Sequence, residues 1–590
     1  MTMTYSTSQV PVRMDSLPNT LLDCARHLTD HAGNNIALTL ITPDDTRHFT
    51  TTEFFNQSAR YARALEKAGV ELGDLVVLVL QHGEDVLFGF WGALLLGAVP
   101  SIMPFLTPKL DPDRYYDSVS KLVRLSAVKA VITYPELQPA LEKALAGIDT
   151  LAAIMNVTDL ESAGATSNYL ADYLDRAPSR PADTAFLQHS SGSTGLQKGV
   201  MLSHGAVLNQ IAAYSESINL TPDDVIVSWL PLYHDMGLIA GFIMPIIQGN
   251  HLVLMSPFHW IREPLVLLRA VQDYNGTICW LPNFAYNFMA TRVRPSALEN
   301  LDNPLDVSSL RAVINCSEPV RDDSHQTFYD FYAEYGLNRA ALQTCYAMAE
   351  NTFAVTQSDI TRLPNVDVIN RTAIMERKIA EPMDATQAGE NGAARRMVSC
   401  GKPIPNTEIR VVDAERNPLP ERHVGEIALR SNCMLSGYYR REEETAQALD
   451  GEWYYTGDLG YIAAGELYIT GRQKDLIIVG GKNIYPQDIE NILNDIPGVH
   501  PGRTVAFGVF NDSLGTEDLA VLAEVDTADP DEHKAITREI RARIAQSTDT
   551  MAKFVHLVEP MWLHKTSSGK IARGANRDKF LTEVLGRNGK

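Results

Sequence analysis

The sequence predicts an α/β fold, with a large amino-terminal domain of layered α/β subdomains plus a β-rich subdomain, and a small carboxy-terminal α+β domain. Three observations predict it. Continuous apolar runs such as 75–80 are typical of parallel strands that are covered on both faces. Helical patterns separate these runs, and this alternation indicates α/β layers. From residue 407 to residue 468 the pattern changes to short β segments separated by turns.

Length and charge restrict the possibilities further. A chain of 590 residues is too long for one hydrophobic core, so two or more domains are expected. Hydrophobic residues make up 45% of the chain, which excludes global disorder. The formal net charge of −21 makes nucleic acid or an anionic membrane a poor main partner.

The elements of the first third follow from apolar spacing. Helices are predicted over 17–28, 51–65 and 86–97. Strands are predicted over 36–41, 75–80, 128–133 and 152–155. A helix over 204–217 and a strand over 250–255 come later. Other predicted strands end in polar or aromatic residues, at 224–237, 274–286, 311–319 and 342–350. Because ligands of open α/β sheets bind at strand carboxyl ends, we expect these ends to line one cleft.

The cysteines and apolar runs indicate a cytoplasmic protein. Six cysteines are scattered without a Cys-x-x-Cys pair, so structural zinc is not expected and reduced thiols are. The amino terminus has no charged head followed by an apolar core, so we expect no secretory signal. The longest apolar runs, 86–99 and 236–247, are shorter than the ~20 residues that a transmembrane helix needs.

A glycine-rich stretch at 190–199 is the strongest local signal. It holds four hydroxyl side chains, three glycines and Lys198 between two apolar runs. Glycine allows sharp turns whose backbone N–H groups form an anion-binding concavity, and a lysine adds charge suited to phosphate. The stretch is not a Walker loop, because Gly199 follows the lysine. The pattern therefore predicts a polyphosphate-binding loop, and the alternative is a flexible Gly/Ser surface loop.

The whole set of strings resembles the adenylate-forming superfamily, which includes acyl-CoA synthetases, luciferases and fatty acyl-AMP ligases. The resemblance rests on five strings in the right order, at 190–199, 346–350, 455–458, 471–475 and 565–570. Within the superfamily the chain looks like fatty acyl-AMP ligases, from the strings at 228–238, 282–286, 398–403 and 485–490. Departures from the common pattern are Gln197, Ala347 and the Gly-Gly-Lys run at 480–482.

The resemblance implies a large domain over 1–473 and a small mobile domain over 474–590. Lys474 and Asp475 resemble the hinge about which the small domain turns. Residues 355–396 occupy the place of an extra segment that, in fatty acyl-AMP ligases, is thought to restrain domain movement and disfavour CoA. The alternative interpretation of this segment, which has no aromatic residue, is a disordered surface excursion.

The resemblance also assigns site residues, with ATP and Mg²⁺ as the expected cofactors. Glu350 would hold Mg²⁺, Lys570 would bridge the acyl carboxylate and the α-phosphate, and Thr194 and His234 complete the expected catalytic set. His234 and the Phe284 region would line the acyl side. The residues expected to bind the nucleotide are Ser190, Ser191, Gly192, Ser193, Thr194, Gly195, Lys198, Ser317, Glu318, Pro319, Tyr346, Ala347, Asp458, Arg472 and Lys474.

Each of three catalytic assignments has a structural alternative. His234 taken alone is more typical of a satisfied structural histidine than of a base. Glu350 taken alone would be a carboxylate at a helix start, and Lys570 an exposed lysine of the tail.

The implied reaction is activation of a carboxylic acid, which we expect to be a fatty acid. ATP would give an acyl-adenylate and pyrophosphate, and the acyl group would pass to the phosphopantetheine thiol of an acyl carrier protein. One alternative is an acyl-CoA synthetase, and another is a catalytically silent nucleotide-binding module. The joint presence of Lys198, Glu350, Asp458 and Lys570 argues against the silent module. A standalone amino-acid-activating domain would need an Asp for the substrate amine, and none can be placed in this sequence.

Overall fold

The computed structural model describes residues 18–107, 112–158, 169–176, 180–190, 198–299, 303–384, 393–479, 482–511, 516–548, 550–566 and 570–586. The elements up to residue 176 are α1 Leu21–Ala32, β1 Ile36–Ile41, β2 Thr46–Thr50, α2 Thr51–Lys67, β3 Leu75–Leu78, α3 Glu84–Leu96, β4 Val99–Ile102, α4 Pro112–Leu125, β5 Ala130–Thr133, α5 Gln138–Ala144, β6 Ala153–Asn156 and α6 Leu170–Arg176.

The next elements lead up to the end of the central sheet. They are β7 Thr184–Ser190, β8 Lys198–Ser203, α7 His204–Ser217, β9 Val225–Ser228, a π-helix Met236–Ile243, α8 Met244–Gln248, β10 His251–Met255, α9 Pro257–Arg262, α10 Leu265–Tyr274, β11 Ile278–Leu281, α11 Asn283–Arg292, α12 Pro295–Glu299, β12 Ala312–Asn315, α13 Asp322–Tyr332, β13 Leu342–Ala347 and β14 Ala354–Gln357. Short 3₁₀ turns cover Ala333–Tyr335, Arg339–Ala341 and Ala349–Asn351.

The remaining elements complete the chain. They are β15 Val366–Asn370, α14 Arg371–Arg377, β16 Ala394–Val398, β17 Lys402–Pro403, β18 Thr407–Val412, β19 Gly425–Ser431, β20 Gly437–Tyr438, α15 Glu442–Ala448, β21 Leu449–Asp450, β22 Trp453–Ala463, β23 Glu466–Arg472, a 3₁₀ turn Gln473–Asp475, β24 Ile477–Val479, β25 Lys482–Ile484, α16 Pro486–Leu493, β26 Val499–Asn511, β27 Thr516–Val525, α17 Pro530–Thr548, β28 Ala552–Val558, α18 Arg573–Lys579 and a π-helix Phe580–Val584.

A nine-stranded sheet in the order β17-β14-β13-β12-β11-β9-β10-β1-β2 forms the centre of the molecule. The strands from β13 to β1 pair in parallel, and the outer strands pair antiparallel. Every residue of β10, β11 and β12 is buried, as expected for strands covered on both faces. The carboxyl ends of the parallel strands therefore meet at one edge, where the predicted site residues follow.

Smaller sheets flank this centre. The strands β4-β3-β5-β6 form a parallel sheet, and β20-β8-β7 form an antiparallel one. The predicted β-rich region from residue 407 is confirmed as a five-stranded antiparallel sheet built on β18, β19, β22, β21 and β23. The sequence predictions for 36–41, 204–217 and 250–255 are also confirmed in type and position.

The helix predicted over 17–28 lies over Leu21–Ala32 in the structure, because Thr20 caps it in a capping box with Asp23. Two further predictions differ from the structure. The Pro-Asn turn predicted after the strand in 274–286 is the start of α11, because Pro282 has extended backbone angles and stands at the amino-terminal cap of that helix. The disordered alternative for 355–396 is wrong for the described part, which contains β14, β15, α14 and β16. Residues 385–392 lie outside the described residues.

The segment around β15, α14 and β16 shares a hydrophobic core with the carboxy-terminal part of the chain. Ile369, Ile374 and Met397 belong to the same buried cluster as Ile489 and Leu493 of α16. Fully burying such a side chain stabilises a fold by about 2 kcal/mol, so this cluster joins the two regions strongly. In the part of the chain that the structure describes, no helix combines the length and the hydropathy that crossing a bilayer requires.

Buried histidines predict that the fold loses stability in mild acid. Burial lowers the pKa of His234 to about 3. It lowers the pKa to about 4 in five other histidines, which are His82, His189, His204, His251 and His325. In the unfolded chain their pKa is ~6.5, so between about pH 6.5 and pH 4 the unfolded state binds more protons. Each histidine then lowers the free energy of unfolding by about 1.4 kcal/mol per pH unit of decrease.

The buried carboxyl groups oppose this effect. Burial raises the pKa of Asp235, Glu350 and Glu490, so these groups favour the folded state as the pH falls. The histidines outnumber them, and we expect urea unfolding to give a smaller free energy at about pH 5.5 than at about pH 7.5. Equal or greater stability at the lower pH would show that these histidines become protonated within the fold.

Candidate functional site

Two strands hold the ends of the glycine-rich stretch. The strands β7 and β8 pair antiparallel, and their register places Ser190 opposite Lys198. The flanking side chains of Phe186, Leu187 and Val200 are buried and fix the base of this hairpin. The remaining predicted phosphate contacts, Ser191, Gly192, Ser193, Thr194 and Gly195, lie outside the described residues, as does the side chain of Ser190.

Tyr438 connects Lys198 to Glu350. The Lys198 Nζ lies 4.7 Å from the centroid of the Tyr438 ring, which is within the range of a cation–π interaction. The Tyr438 hydroxyl donates a hydrogen bond of 2.9 Å to Glu350 Oε1 and lies 3.1 Å from the Tyr454 hydroxyl. Burial raises the pKa of the Glu350 carboxyl, and the charge of Asp235 adds to that effect. The predicted phosphate lysine and the predicted metal ligand therefore belong to one cluster.

Asp458 lies in a second cluster at the end of the central sheet. The Tyr346 hydroxyl donates to Asp458 Oδ2 over 2.6 Å, and Arg472 Nε donates to Oδ1 over 2.9 Å. Strand pairing fixes this arrangement, because Asp458 of β22 lies opposite Arg472 of β23. Each carboxylate oxygen keeps a further lone pair, so Asp458 can still accept hydrogen bonds from two neighbouring hydroxyl groups. Ala347, at the end of β13, follows Tyr346 directly.

Lys570 reaches the large domain from the carboxy-terminal part of the chain. Its Nζ donates a hydrogen bond of 2.5 Å to the Ser317 carbonyl oxygen. Ser317 has a φ of 71°, which is uncommon for a residue other than glycine. Lys570 is therefore not an exposed lysine of the tail. The two lysine-bearing segments, far apart in sequence, both lie at the carboxyl edge of the central sheet.

His234 and Asp235 lie within electrostatic reach of Lys570. Burial, together with a smaller effect from the positive charge of Lys570, lowers the pKa of His234 to about 3. Burial raises the pKa of Asp235, whereas Lys570 favours its ionised form. His234 is thus neutral at physiological pH. Its Nε2 atom has no hydrogen-bond partner among the described residues, so the structure does not support the alternative of a fully satisfied structural histidine.

The predicted wall at 317–319 contacts an aromatic cluster. Glu318 Oε2 accepts a hydrogen bond of 2.9 Å from the Phe284 N–H, at the start of α11. Phe284 is 40% exposed, and its ring lies edge-on to Trp229 and Trp260, which stack at 3.7 Å. Pro319, the last residue of this wall, is exposed. An apolar, aromatic lining next to His234 suits the acyl part of a substrate.

The predicted hinge lies next to the Asp458 cluster. Burial lowers the pKa of Lys474, and the charge of Arg472 lowers it further. Asp475 accepts a hydrogen bond of 2.8 Å from Arg573, three residues after Lys570. The chain thus passes from the Asp458 cluster directly into the carboxy-terminal part.

Several residues of this site were not predicted from the sequence. Tyr438 and Tyr454 complete the Glu350 cluster, and Arg573 joins the hinge to the Lys570 region. The Gly-Tyr-Tyr string at 437–439 is the sequence signal that could have indicated Tyr438. Its first two residues form β20, which pairs with β8 beside Lys198. No spacing rule connects Arg573 with Asp475.

The donor set fits a Mg²⁺ ion that takes most of its ligands from substrate and water. Among the described residues, no group of three or more His, Cys, Asp or Glu side chains could hold a metal ion. Mg²⁺ commonly binds through one or two carboxylates together with substrate phosphates, and Glu350 supplies such a carboxylate.

Comparisons with known proteins agree with this geometry. The model of the family described as AMP-binding enzyme matches residues 25–439. A provisionally named acyl-CoA synthetase of Caulobacter vibrioides is 30% identical over 89% of this chain and 89% of its own. JamA of Moorena producens, a medium-chain-fatty-acid–[acyl-carrier-protein] ligase, is 34% identical over 69% of this chain and 70% of its own. A solved structure from the fatty acyl-adenylate ligases of E. coli and L. pneumophila superposes with a TM-score of 0.86, at 26% identity, covering 96% of this chain and 99% of its own.

Proposed function

Because this chain belongs to the adenylate-forming family of AMP-binding enzymes, we propose that it activates a fatty acid with ATP and transfers the acyl group to the thiol of an acyl carrier protein. Because it belongs to this family, the chain is a ligase that activates acids through an adenylate. What we propose in addition is that the acid is a fatty acid and that the acceptor is a carrier protein. The observation that carries the proposal is the hydrogen bond from Lys570 to Ser317, beside His234 and the Glu350 cluster.

In the first half-reaction, a carboxylate oxygen of the acid attacks the α-phosphorus of ATP. The bond from that phosphorus to the bridging oxygen breaks, and pyrophosphate leaves. Lys570 neutralises charge as the two anions meet, which is a large source of acceleration in a water-poor site. Lys198 and the glycine-rich stretch bind the β- and γ-phosphates, and Asp458 accepts hydrogen bonds from the ribose hydroxyls. Glu350 would hold a Mg²⁺ ion, which would supply positive charge to the phosphates when bound.

In the second half-reaction, the acceptor sulfur attacks the acyl carbonyl carbon, and the bond from that carbon to the phosphate oxygen breaks. AMP leaves, and the thiol proton passes to solvent. We propose that residues 474–590 are a mobile domain that turns about Lys474 and Asp475 between the two half-reactions, as domain closures commonly do. His234 stays neutral throughout because of its low pKa, so it lines the acyl side without adding a second positive charge next to Lys570.

Contacts between the 355–396 segment and the small domain support a carrier protein as the acceptor. Arg395 pairs with Asp488 at 3.1 Å, with side chains only 10% and 13% exposed, and it lies 4.9 Å from the centroid of the Tyr485 ring. Asn483 Nδ2 donates to the Met375 carbonyl oxygen over 3.1 Å. These contacts oppose rotation of the small domain. A carrier protein binds through its own surface, so it offers free energy for breaking them that CoA lacks.

Mass spectrometry of the products tests the proposal directly. The protein is incubated with ATP, Mg²⁺ and a panel of carboxylic acids, with either CoA or a holo-carrier protein. We expect acyl-adenylate and acyl-carrier protein from fatty acids, and little acyl-CoA. Efficient acyl-CoA formation by the intact protein would reject the carrier protein as the specific acceptor. Absence of any acyl-adenylate across the panel would reject the activation step.

Weakening the contact between the segment and the small domain is expected to increase the use of CoA. Deleting the whole segment is a poor test, because Ile369, Ile374 and Met375 belong to a shared core. The substitution Arg395→Ala removes the buried ion pair with Asp488 and the ring contact with Tyr485. We expect acyl-CoA formation to rise at least about tenfold, because breaking such a pair costs several kcal/mol in the restrained pose. Acyl-adenylate formation should change little.

A matched control comes from the same segment. Arg377 pairs with Glu381, with side chains 56% and 38% exposed, and exposed pairs of this kind contribute at most about 0.5 kcal/mol. Arg377→Ala should therefore leave CoA use unchanged. If Arg395→Ala leaves it unchanged as well, these contacts do not determine the acceptor.

A further inference from the structure

The position of Lys570 depends on a connection across the small domain. Lys570 lies far along the chain from the hinge at Lys474 and Asp475, yet it must arrive at Ser317 when the domain turns. A rotation at the hinge places the lysine accurately only if the residues directly after the hinge are fixed to the loop that carries it.

Arg573 makes that connection. It donates to Asp475 Oδ2 at 2.8 Å, to Glu490 Oε1 and Oε2 at 2.7 and 2.9 Å, and to the Ala506 carbonyl oxygen at 2.9 Å. The three charged side chains are mostly buried, at 15% exposure for Arg573, 21% for Asp475 and 18% for Glu490. A guanidinium group that is bound on all sides has one orientation, so it holds these three segments in a fixed arrangement.

The Lys570 loop is fixed to the same place. Arg573 is the first residue of α18, and Ala572 N donates to the His564 carbonyl oxygen at 3.0 Å. The buried Asn576 side chain bonds both the N–H and the carbonyl of His564, at 2.8 and 2.9 Å. Thr566 N donates to the Lys570 carbonyl oxygen at 2.7 Å. The described part of the loop is therefore attached at both ends to the start of α18.

The charges make Arg573 the essential member of this network. Asp475 and Glu490 both face its guanidinium group, and each is close enough to affect the other electrostatically. Without Arg573, two buried carboxylates would repel each other next to the hinge. Lys474 is near enough to Arg472, Asp458 and Arg573 for their charges to affect its pKa.

We propose that Arg573 is a positioning residue for adenylate formation, which fixes Asp475 to the base of the Lys570 loop so that turning the small domain brings Lys570 to Ser317. The proposal rests on the catalytic role proposed above for Lys570. Arg573 acts on the reaction only through Lys570, and it does not touch the substrates.

The test compares the two half-reactions in Arg573→Gln. Glutamine is uncharged and cannot pair with two carboxylates, so Lys570 loses its alignment. We expect kcat for acid-dependent ATP–pyrophosphate exchange to fall about 10²-fold, as for a misplaced catalytic group, with little change in KM for ATP. Thioester formation from supplied acyl-adenylate should stay within about threefold of the intact protein. Arg573→Lys should restore part of the exchange, because it keeps the positive charge.

A double variant separates positioning from a merely structural role. If Arg573 acts through Lys570, adding Arg573→Gln to Lys570→Ala should cause no further loss of exchange. The control is Arg543→Gln, since Arg543 pairs with Glu539 at 2.7 Å on the exposed side of α17 in the same domain, and it should leave exchange unchanged. Should Arg573→Gln not fold, Asp475→Asn removes one partner only, and it should lower exchange while sparing thioester formation.

Several results would overturn the proposal. Equal losses in both half-reactions, together with a lower Tm, would give Arg573 a structural role only. Normal exchange in Arg573→Gln, or in Asp475→Asn where that variant has to be used, would exclude positioning. Retained exchange in Lys570→Ala would instead refute the proposed function of Lys570, and the proposal for Arg573 with it.

Discussion

Replacing Lys570 with alanine is expected to abolish acyl-adenylate formation while sparing the second half-reaction. Lys570 donates a hydrogen bond to the Ser317 carbonyl oxygen, and its positive charge affects the pKa of His234 and of Asp235. Removing a preorganised group that stabilises transition-state charge costs about 10²–10³ in kcat, and we expect at least that loss in ATP–pyrophosphate exchange. Thioester formation from supplied acyl-adenylate should be nearly unchanged, because the α-phosphate has already reacted.

A lysine of the same domain provides the control for this experiment. Lys553 is half-exposed and pairs with Asp518. Lys553→Ala should leave both half-reactions unchanged, since an exposed ion pair contributes little to the fold. Retained ATP–pyrophosphate exchange in Lys570→Ala would contradict the role proposed for Lys570.

The second large effect is expected at Glu350. Glu350→Gln keeps the size of the side chain and an oxygen that accepts the hydrogen bond from Tyr438, but it removes the negative charge. Mg²⁺ prefers charged carboxylate oxygens, so the variant should need a much higher Mg²⁺ concentration and lose about 10²-fold in exchange at a moderate one. The measurement is the exchange rate as a function of Mg²⁺ concentration.

Control variants separate the metal from the fold. Glu452 is 82% exposed and pairs only weakly with Arg430, so Glu452→Gln should leave the Mg²⁺ dependence unaltered. Tyr438→Phe keeps the ring below Lys198 and removes the hydroxyl, so we expect a smaller loss than in Glu350→Gln. An unchanged Mg²⁺ requirement in Glu350→Gln would exclude this residue as the metal ligand.

Local physics explains which elements could be predicted from the sequence. The strand predicted at 75–80 is present as β3 Leu75–Leu78, and the helix predicted at 204–217 is present as α7 over the same residues. Both predictions rest on residues that are close together in the sequence. The second helix begins at Thr51, as predicted, and Thr50 forms a capping box with Glu53 at its start.

Long-range contacts explain what could not be predicted. Tyr438 reaches Glu350 only because β20 pairs with β8, and two residues so far apart in sequence carry no shared signal. The packing of Ile369 and Ile374 against α16 likewise depends on where the small domain sits. Arg573 and Asp475 become partners through the same arrangement. The motif residues Lys198, Glu350, Asp458 and Lys570 were identified because each belongs to a recognisable string.

The domain boundary near residue 474 and the individual roles of the site residues remain predictions. The structure places Lys198, Glu350, Asp458 and Lys570 along one edge of the central sheet, and this placement is the reason to test them together.

The most direct test of the central claim is a structure of the protein with a non-reactive acyl-adenylate analogue, an acyl-sulfamoyl adenosine. The claim predicts the ribose on Asp458, the sulfamoyl group within hydrogen-bond distance of Lys570 Nζ, and the acyl chain towards Phe284. An analogue bound elsewhere, or bound there with Lys570 directed to an unrelated surface, would contradict the claim that both lysine-bearing segments serve a single nucleotide.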